Sequence, residues 1–298
     1  MTRLLVIDDD VLDRKAVARA LKGLGNDYEM LEAPDGRAGL ALALQQPFDC
    51  ILIDYNLPDM NGLQLLDQLR AQRSLAAPIV MLTGVGNEFV AVEAMKRGAY
   101  DYLPKAELGS ETLYRVVTNA IEKNLLQTKL LEAQEKLERL ALFDQLTGLG
   151  NRNLFHLELP RAVMVAQRKK TSFVLLVMDL NRFKIINDRL GHAAGDAILA
   201  AVGARLRAIT RASDSCFRFG GDEFTAILDS SSDGQIVAQR IVRAIAEPIL
   251  FGEEVLTVGV SIGMATYPTD AGDAQDLIRV ADAAMYEVKN SGRPIAEG

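Results

Sequence analysis

The chain has 298 residues, 49% of them apolar and 24% charged, which suits a soluble globular composition with two ordinary domains, each burying its own core. A net charge of −7 argues against sequence-independent nucleic-acid binding, which needs an excess of Lys and Arg to neutralise phosphates, but leaves room for a small anion in a local basic pocket. The opening "MTRLLVIDDD" turns acidic after seven residues and does not fit a signal peptide, and no apolar run approaches the roughly 20 residues that span a bilayer. Cys50 and Cys216 sit in strand-like apolar runs, so buried thiols are expected rather than a disulfide framework. A cytoplasmic protein without membrane or nucleic-acid partners is the expectation.

In chain order, the short apolar runs "RLLVI", "YEMLEA", "CILID", "PIVMLT" and "AYDYL" read as buried strands. Between them lie stretches with helical spacing, bounded by Gly or Pro. Such alternation predicts an α/β domain with a five-stranded, doubly wound parallel sheet. The fifth helix starts near Ser110, an expected N-cap, with Leu113, Val116, Val117, Ala120 and Ile121 on its apolar face. No Gly or Pro stops it before Thr147, and Leu126, Leu130, Ala133, Leu137 and Leu140 recur at alternating spacings of four and three. That is the pattern of a coiled-coil seam. A dimerising connector is favoured over a surface helix packed on its own domain.

After Thr147 the pattern changes. A helix near 154–168 leads into the strand "SFVLLVMDL", followed by helices near 182–189 and 194–209. Two strands flank Gly220-Gly221 as an antiparallel hairpin. A helix near 235–246, a strand pair around "ILFGEEVLTVGVSIGMAT" and a last helix near 274–288 complete an α+β domain with a mixed, largely antiparallel sheet. The chain divides on this reading into residues 1–122, a helical linker 123–143, and residues 144–298.

Ligands of a parallel sheet collect at the carboxyl ends of its strands. Asp8 and Asp9 end the first strand, Asp54 the third and Thr83 the fourth, and Lys105 follows the fifth. Converging carboxylates of this kind call for a divalent cation, and all-oxygen ligation suits Mg²⁺. A carboxylate beside the cation can act as nucleophile toward a phosphoryl donor. Helix capping is the plainer role for one of them, Asp10. Residues 1–122 resemble the receiver domain of two-component response regulators. The resemblance implies Asp54 as phosphoacceptor, Asp8, Asp9 and Asp54 around one metal ion, Thr83 and Tyr102 as switch residues, and Lys105 as the phosphate-binding lysine. It also implies a histidine kinase or phosphotransfer protein as partner. Gly84 and Ala106 depart from the usual Ala and Pro.

In the second half, "LLVMDLNRFKIINDRLGHAAGD" ends a buried strand on Asp179 and opens a helix carrying Lys184 in its first turn. If its strand neighbours the "RFGGDEFTAIL" hairpin, Asp179, Asp222 and Glu223 meet at one sheet end, facing Lys184 and helix N-terminal amides. That is a metal site beside a phosphate site. Residues from about Asp144 to Arg293 resemble the GGDEF class of diguanylate cyclases, which condense two GTP into cyclic di-GMP and two pyrophosphates; Gly220-Gly221-Asp222-Glu223-Phe224 is the signature. By that resemblance Asp179, Asp222 and the Leu180 carbonyl hold two Mg²⁺ per site, with Mn²⁺ as an alternative. Glu223 then assists at the reacting centre as metal ligand or proton acceptor. Phe183, Lys184, Lys289 and Arg293 contact the triphosphate, Asn187 and Asp196 read guanine, and Gly220 and Gly221 give the nucleotide room. A carboxylate at Asp196 accepts from guanine N1–H, whereas adenine would leave it unpaired. Asn181, Gly150 and Pro294 depart mildly from the common pattern. "FDQLTGLGNR" matches the entrance of such domains, where Asp144, Thr147 and Arg152 fix the hinge.

"RASD" stands at the offset of the family's product-inhibition site, with Arg211 to guanine O6 and N7 and Asp214 to the Watson–Crick edge. One nucleotide site per domain implies that two domains must face each other, hence a homodimer. The expected protein is a response regulator that makes cyclic di-GMP, controlled by phosphorylation at Asp54 and by its product. A catalytically silent GGDEF module sensing cyclic di-GMP or GTP is the alternative, and the intact Asp179, Asp222 and Glu223 set speaks against it.

Overall fold

Runs of leucine, isoleucine and valine buried on both faces are the mark of a central parallel strand, and two of them organise the first half of the chain. The computed structural model describes residues 1–22, 28–72, 76–84, 88–229, 233–291 and 294–297. The chain falls into two compact units, Met1–Ala133 and Gln134–Gly298.

The first unit runs β1 (Thr2–Ile7), α1 (Val11–Lys22), β2 (Tyr28–Ala33), α2 (Gly36–Gln45), β3 (Cys50–Asp54), α3 (Gly62–Arg70), β4 (Ile79–Thr83), α4 (Glu88–Lys96) and β5 (Asp101–Pro104). A short 3-10 turn over Lys105–Glu107 then leads to α5 (Ser110–Leu142). All five strands are parallel, in the order β2-β1-β3-β4-β5. Every residue of β3 and β4 is buried. Strand alternation sends Leu5, Ile7, Ile51, Ile53, Ile79 and Met81 to the face covered by α2, α3 and α4. Leu4, Val6, Leu52, Val80 and Leu82 meet Val17 and Leu21 of α1 and Leu113, Val116, Val117 and Ala120 of α5. Asp10 caps α1, accepting the Leu12 N–H at 2.7 Å. Ser110 is the first residue of α5 rather than its cap, because the Gly109 carbonyl already accepts the Leu113 N–H. Beyond Ala120, the connector leucines Leu126, Leu130, Leu137 and Leu140 are 67%, 68%, 66% and 47% exposed in the single chain.

The second unit continues α6 (Arg152–Lys169), β6 (Phe173–Asn181), α7 (Phe183–Leu190), α8 (His192–Ile209), β7 (Ser215–Gly220), β8 (Glu223–Leu228) and α9 (Gly234–Ile245). It ends with β9 (Ile249–Phe251), β10 (Glu254–Leu256), β11 (Gly259–Tyr267), α10 (Ala274–Ser291) and β12 (Ile295–Glu297). The main sheet is mixed, in the order β12-β11-β6-β8-β7, with only β11 and β12 parallel. β9 and β10 form a separate two-stranded sheet, so the expected strand pair is split, with β11 joining the main sheet. β12 has only three residues and follows a proline, too short to show periodicity; its pairing to β11 creates it.

Even-numbered residues of β6 (Leu176, Met178, Leu180) face α7, α8 and α9, while Leu175 and Val177 face α6 and α10. Asp179 therefore lies on the α10 side. Among the described residues no helix is long and apolar enough to cross a membrane, and both cysteines are free thiols. At the crossing of β11 and α10, a Cβ built at Gly263 would overlap the Ala281 carbonyl and the Met285 amide. Backbone cannot yield as a side chain can, so Gly263→Ala is expected to cost the second unit about 2 kcal/mol. Differential scanning calorimetry of the full chain should show that unit's transition moving down while the other holds.

Candidate functional site

The strand order β1-β3-β4-β5 sets the ends of β1, β3 and β4 and the start of the Lys105 turn side by side. Asp8 is fully buried, Asp54 and Thr83 nearly so, and Asp9 is exposed. Ligand oxygens of Asp8, Asp9 and Asp54 all lie within 4.8 Å of one another. Among the described residues this is the only group of three or more acids so gathered. Lys105 answers them: its Nζ stands 2.8 Å from Asp8 Oδ2 and 2.9 Å from Asp54 Oδ1. A fourth acid missed in the sequence, Asp13 of α1, takes the same ammonium at 2.6 Å. Burial raises the pKa of Asp8 and of Asp54, with Lys105 opposing the rise in both. Asp8 Oδ2 is buried and makes no well-formed hydrogen bond. An acceptor in that state beside two more carboxylates suits a small hard cation, so the residues fit one Mg²⁺. Tyr102, on β5, is 43% exposed.

In the second unit the hairpin differs from its expected form. Gly220 is the last residue of β7 and pairs with Glu223, so the two-residue turn is Gly221-Asp222 and not the glycine pair. Gly221 takes φ +54°, in the left-handed region, where a side chain is strained. Gly220 has no such need, and a Cβ built at either glycine would touch nothing within 4 Å. Among the described residues no packing explains Gly220; it keeps a surface open.

Register brings the acids together. Asp179 lies directly opposite Glu223 across the β6–β8 pair, and the Leu180 amide donates to the Asp222 carbonyl at 3.2 Å. Like charges directly opposite destabilise a sheet unless something neutralises them. Lys289 of α10 does so in part, with Nζ 2.7 Å from Asp179 Oδ2. Burial raises the Asp179 pKa, opposed by Lys289 and reinforced by Asp222. Burial likewise raises that of Glu223, reinforced by Asp179, Asp222 and Asp282, the last a residue of α10 not foreseen. These acids are less tightly gathered than the trio of Asp8, Asp9 and Asp54, but their mutual repulsion is what a divalent cation would relieve, so the residues fit Mg²⁺ here too.

Across the sheet end, Phe183 begins α7 with its ring buried and Lys184 exposed. Asn187 packs against α8 where a Cβ at Gly195 would overlap its amide oxygen, beside the exposed Asp196. Asn187 Oδ1 is buried and has no hydrogen-bond partner among the described residues. Arg293 lies outside the described residues.

The turn is held from behind. Arg218 donates to the Gly221 carbonyl through Nε at 3.0 Å and Nη2 at 2.8 Å, and its Nη1 pairs with Asp144 at 3.1 Å. Asp144 in turn accepts the Thr147 amide and hydroxyl at 2.8 and 2.7 Å. Arg218 stood in the signature stretch without a role; only its two partners identify it. Arg152 lies over the Phe219 ring, 4.7 Å from its centroid. At the other end of β7, Asp214 accepts the Arg211 amide at 2.9 Å and the Asp229 amide at 3.1 Å, so it shapes its own loop.

Two family models match the chain: the response regulator receiver domain over residues 4–118, and the diguanylate cyclase, GGDEF domain over residues 141–294. The bifunctional diguanylate cyclase/cyclic di-GMP phosphodiesterase MucR of Pseudomonas aeruginosa is 40% identical over 172 residues, covering 57% of this chain and 25% of MucR. The response regulator PleD of Caulobacter vibrioides is 29% identical over 303 residues, covering 99% of this chain and 65% of PleD. The chain thus spans about a quarter of MucR and less than two thirds of PleD. The crystal structure of the coiled coil and GGDEF domain of DgcB from Caulobacter crescentus, in complex with c-di-GMP, aligns with a TM-score of 0.54 at 27% identity. That alignment covers 59% of this chain and 96% of the DgcB chain. With the model match over residues 141–294 spanning more than half of its length, the chain belongs to the GGDEF diguanylate cyclase family, and it carries a response regulator receiver domain ahead of its GGDEF domain.

Proposed function

We propose that the chain is a response regulator that condenses two GTP into cyclic di-GMP and two pyrophosphates. The cross-strand apposition of Asp179 and Glu223 beside the Gly221-Asp222 turn carries this reading. A fold does not place like charges opposite each other for stability alone. Asp179, Asp222 and the Leu180 carbonyl would hold two Mg²⁺, which when bound polarise the α-phosphoryl group and stabilise charge on the leaving pyrophosphate. Glu223, whose pKa burial and its acidic neighbours raise in the unliganded chain, stands where it could accept the hydroxyl proton. In each condensation the 3′-hydroxyl of one GTP attacks the α-phosphorus of the other. The new P–O bond replaces the bond to pyrophosphate, and the hydroxyl proton passes toward Glu223.

The unpartnered Asn187 Oδ1 beside Asp196 suits the N–H groups on the edge of guanine. The Phe183 amide, Lys184, Lys289 and Arg293 would take the triphosphate, with Lys289 leaving Asp179 as the metal arrives. Gly220 and Gly221 keep clear the space in which the nucleotide lies.

Each domain offers one nucleotide site and the product needs two, so a homodimer belongs to the mechanism. The exposed leucine stripe of α5 supports dimerisation through the connector. In the receiver, a histidine kinase or phosphotransfer partner would supply the phosphoryl group to Asp54. Its carboxylate oxygen forms the P–O bond while the donor leaves, and Lys105 and the Thr83 hydroxyl turn to the phosphoryl oxygens. Tyr102 would report that change to the α4–β5–α5 face. Product inhibition would use Arg211 and Asp214. A cavity of about 480 Å³ beside them, walled by Leu154, Arg207 and Phe217, offers room for a base.

Purified chain given GTP and Mg²⁺, with and without acetyl phosphate, is expected to release pyrophosphate and cyclic di-GMP; neither product under both conditions, from folded protein, would refute the reading. Asp222→Asn should lower turnover by about 100-fold or more, as loss of a metal-holding group does. Arg218→Met should cut kcat at least about tenfold with the melting transition little changed, because the turn then drifts from its productive position. Arg211→Ala should preserve initial turnover while product no longer slows the reaction; an unaltered inhibition curve would remove Arg211 from the inhibitory site.

A further inference from the structure

Lys105 stands within ion-pair distance of three carboxylates, of which only Asp8 and Asp54 belong to the phosphoryl pocket, and its hydrogen bond goes to the third, Asp13. Asp8 and Asp54 are buried strand-end acids that need a cation to stay ionised. Asp13 is different. It comes from the first turn of α1, lies outside the acid trio whose oxygens could share a metal, and has 36% of its side chain exposed. A carboxylate that reaches water does not need the lysine, yet its contact at 2.6 Å is the shortest of the three, against 2.8 and 2.9 Å. Burial works against the charge of Lys105, and the carboxylates, Asp13 foremost, outweigh it and hold its pKa above the ordinary lysine value.

We propose that Asp13 is a positioning residue that holds Lys105 toward α1 and so sets how tightly the receiver pocket binds a phosphoryl group. This rests on the receiver reading above. A phosphoryl group on Asp54 must draw the ammonium to its own oxygens, and the bond to Asp13 is the one that competes without contributing a metal ligand. Asp13 therefore weakens the phosphoryl state and biases the receiver toward its resting form. Replacing the acid by its amide keeps shape and removes the charge that makes the bond strong.

The experiment uses the full chain at saturating Mg²⁺, with beryllofluoride as the phosphoryl probe and ¹⁹F NMR as the readout. Asp13→Asn is expected to bind beryllofluoride about fivefold more tightly than the unaltered protein, the size of a partly exposed ion pair. In a Lys105→Met background, where binding is weaker throughout, Asp13→Asn should change nothing. The same tightening in both backgrounds would mean a general charge effect and would overturn the proposal. So would unchanged or weaker binding by Asp13→Asn in the lysine-bearing chain. If the unaltered chain bound no beryllofluoride, the receiver reading itself would fall and this inference with it. A chain that binds, with an Asp13→Asn variant no tighter, sinks the inference alone.

Discussion

A carboxylate buried with its charge costs several kcal/mol unless a cation answers it, and both sites of this chain are built around that cost. In the receiver, Asp8 and Asp54 lie under the surface with Lys105 between them. In the GGDEF domain, Asp179 is nearly buried and Lys289 reaches it from α10. Each lysine lets an acid cluster exist in the folded chain before any ligand arrives. In the proposed chemistry each is also the group that meets phosphate. Folding and the proposed catalysis thus draw on the same ammonium. Removing either lysine would leave charges that the fold itself must then suppress.

The same economy governs the hairpin. A turn of Gly221 and Asp222 has little to hold it at the sheet edge: no side chain at 221, and open space around both glycines. Its position comes from the Leu180 amide on one side and the Arg218 fork on the other. Because Arg218 also grips Asp144, next to the loop where Thr147 is tied down, the stretch just after α5 is joined to the turn through two side chains. A displacement of that stretch has a short physical route to Asp222, the route that the proposed control through the connector would need.

Much of the fold is legible in the sequence. β3 and β4 are continuous apolar runs and read as buried central strands; Asp8, Asp9, Asp54 and Lys105 follow from knowing that strand ends of a parallel sheet converge. The acids of the hairpin declared themselves by residue type beside two glycines. Legibility failed where a residue's role depends on a partner far along the chain. Asp13 looked like one more acid at a helix start, Arg218 like a polar residue in a strand, and Asp282 like a solvated face of α10. The turn was displaced by one residue because a bulge between Arg218 and Gly220 shifts the pairing, and bulges leave no trace in a period-two pattern.

The sequence by itself determined the two domain types, the long connector and the identity of the chemical groups, since periodicity, residue type and short motifs are local properties of the chain. Tertiary structure alone decided which charge faces which. Strand register set Asp179 against Glu223, the packing of α10 brought Lys289 to Asp179, and the approach of α1 to the Lys105 turn put Asp13 on that ammonium. Such pairings follow from how elements pack at distances of a few ångströms. A one-dimensional pattern carries the groups but not the contacts among them.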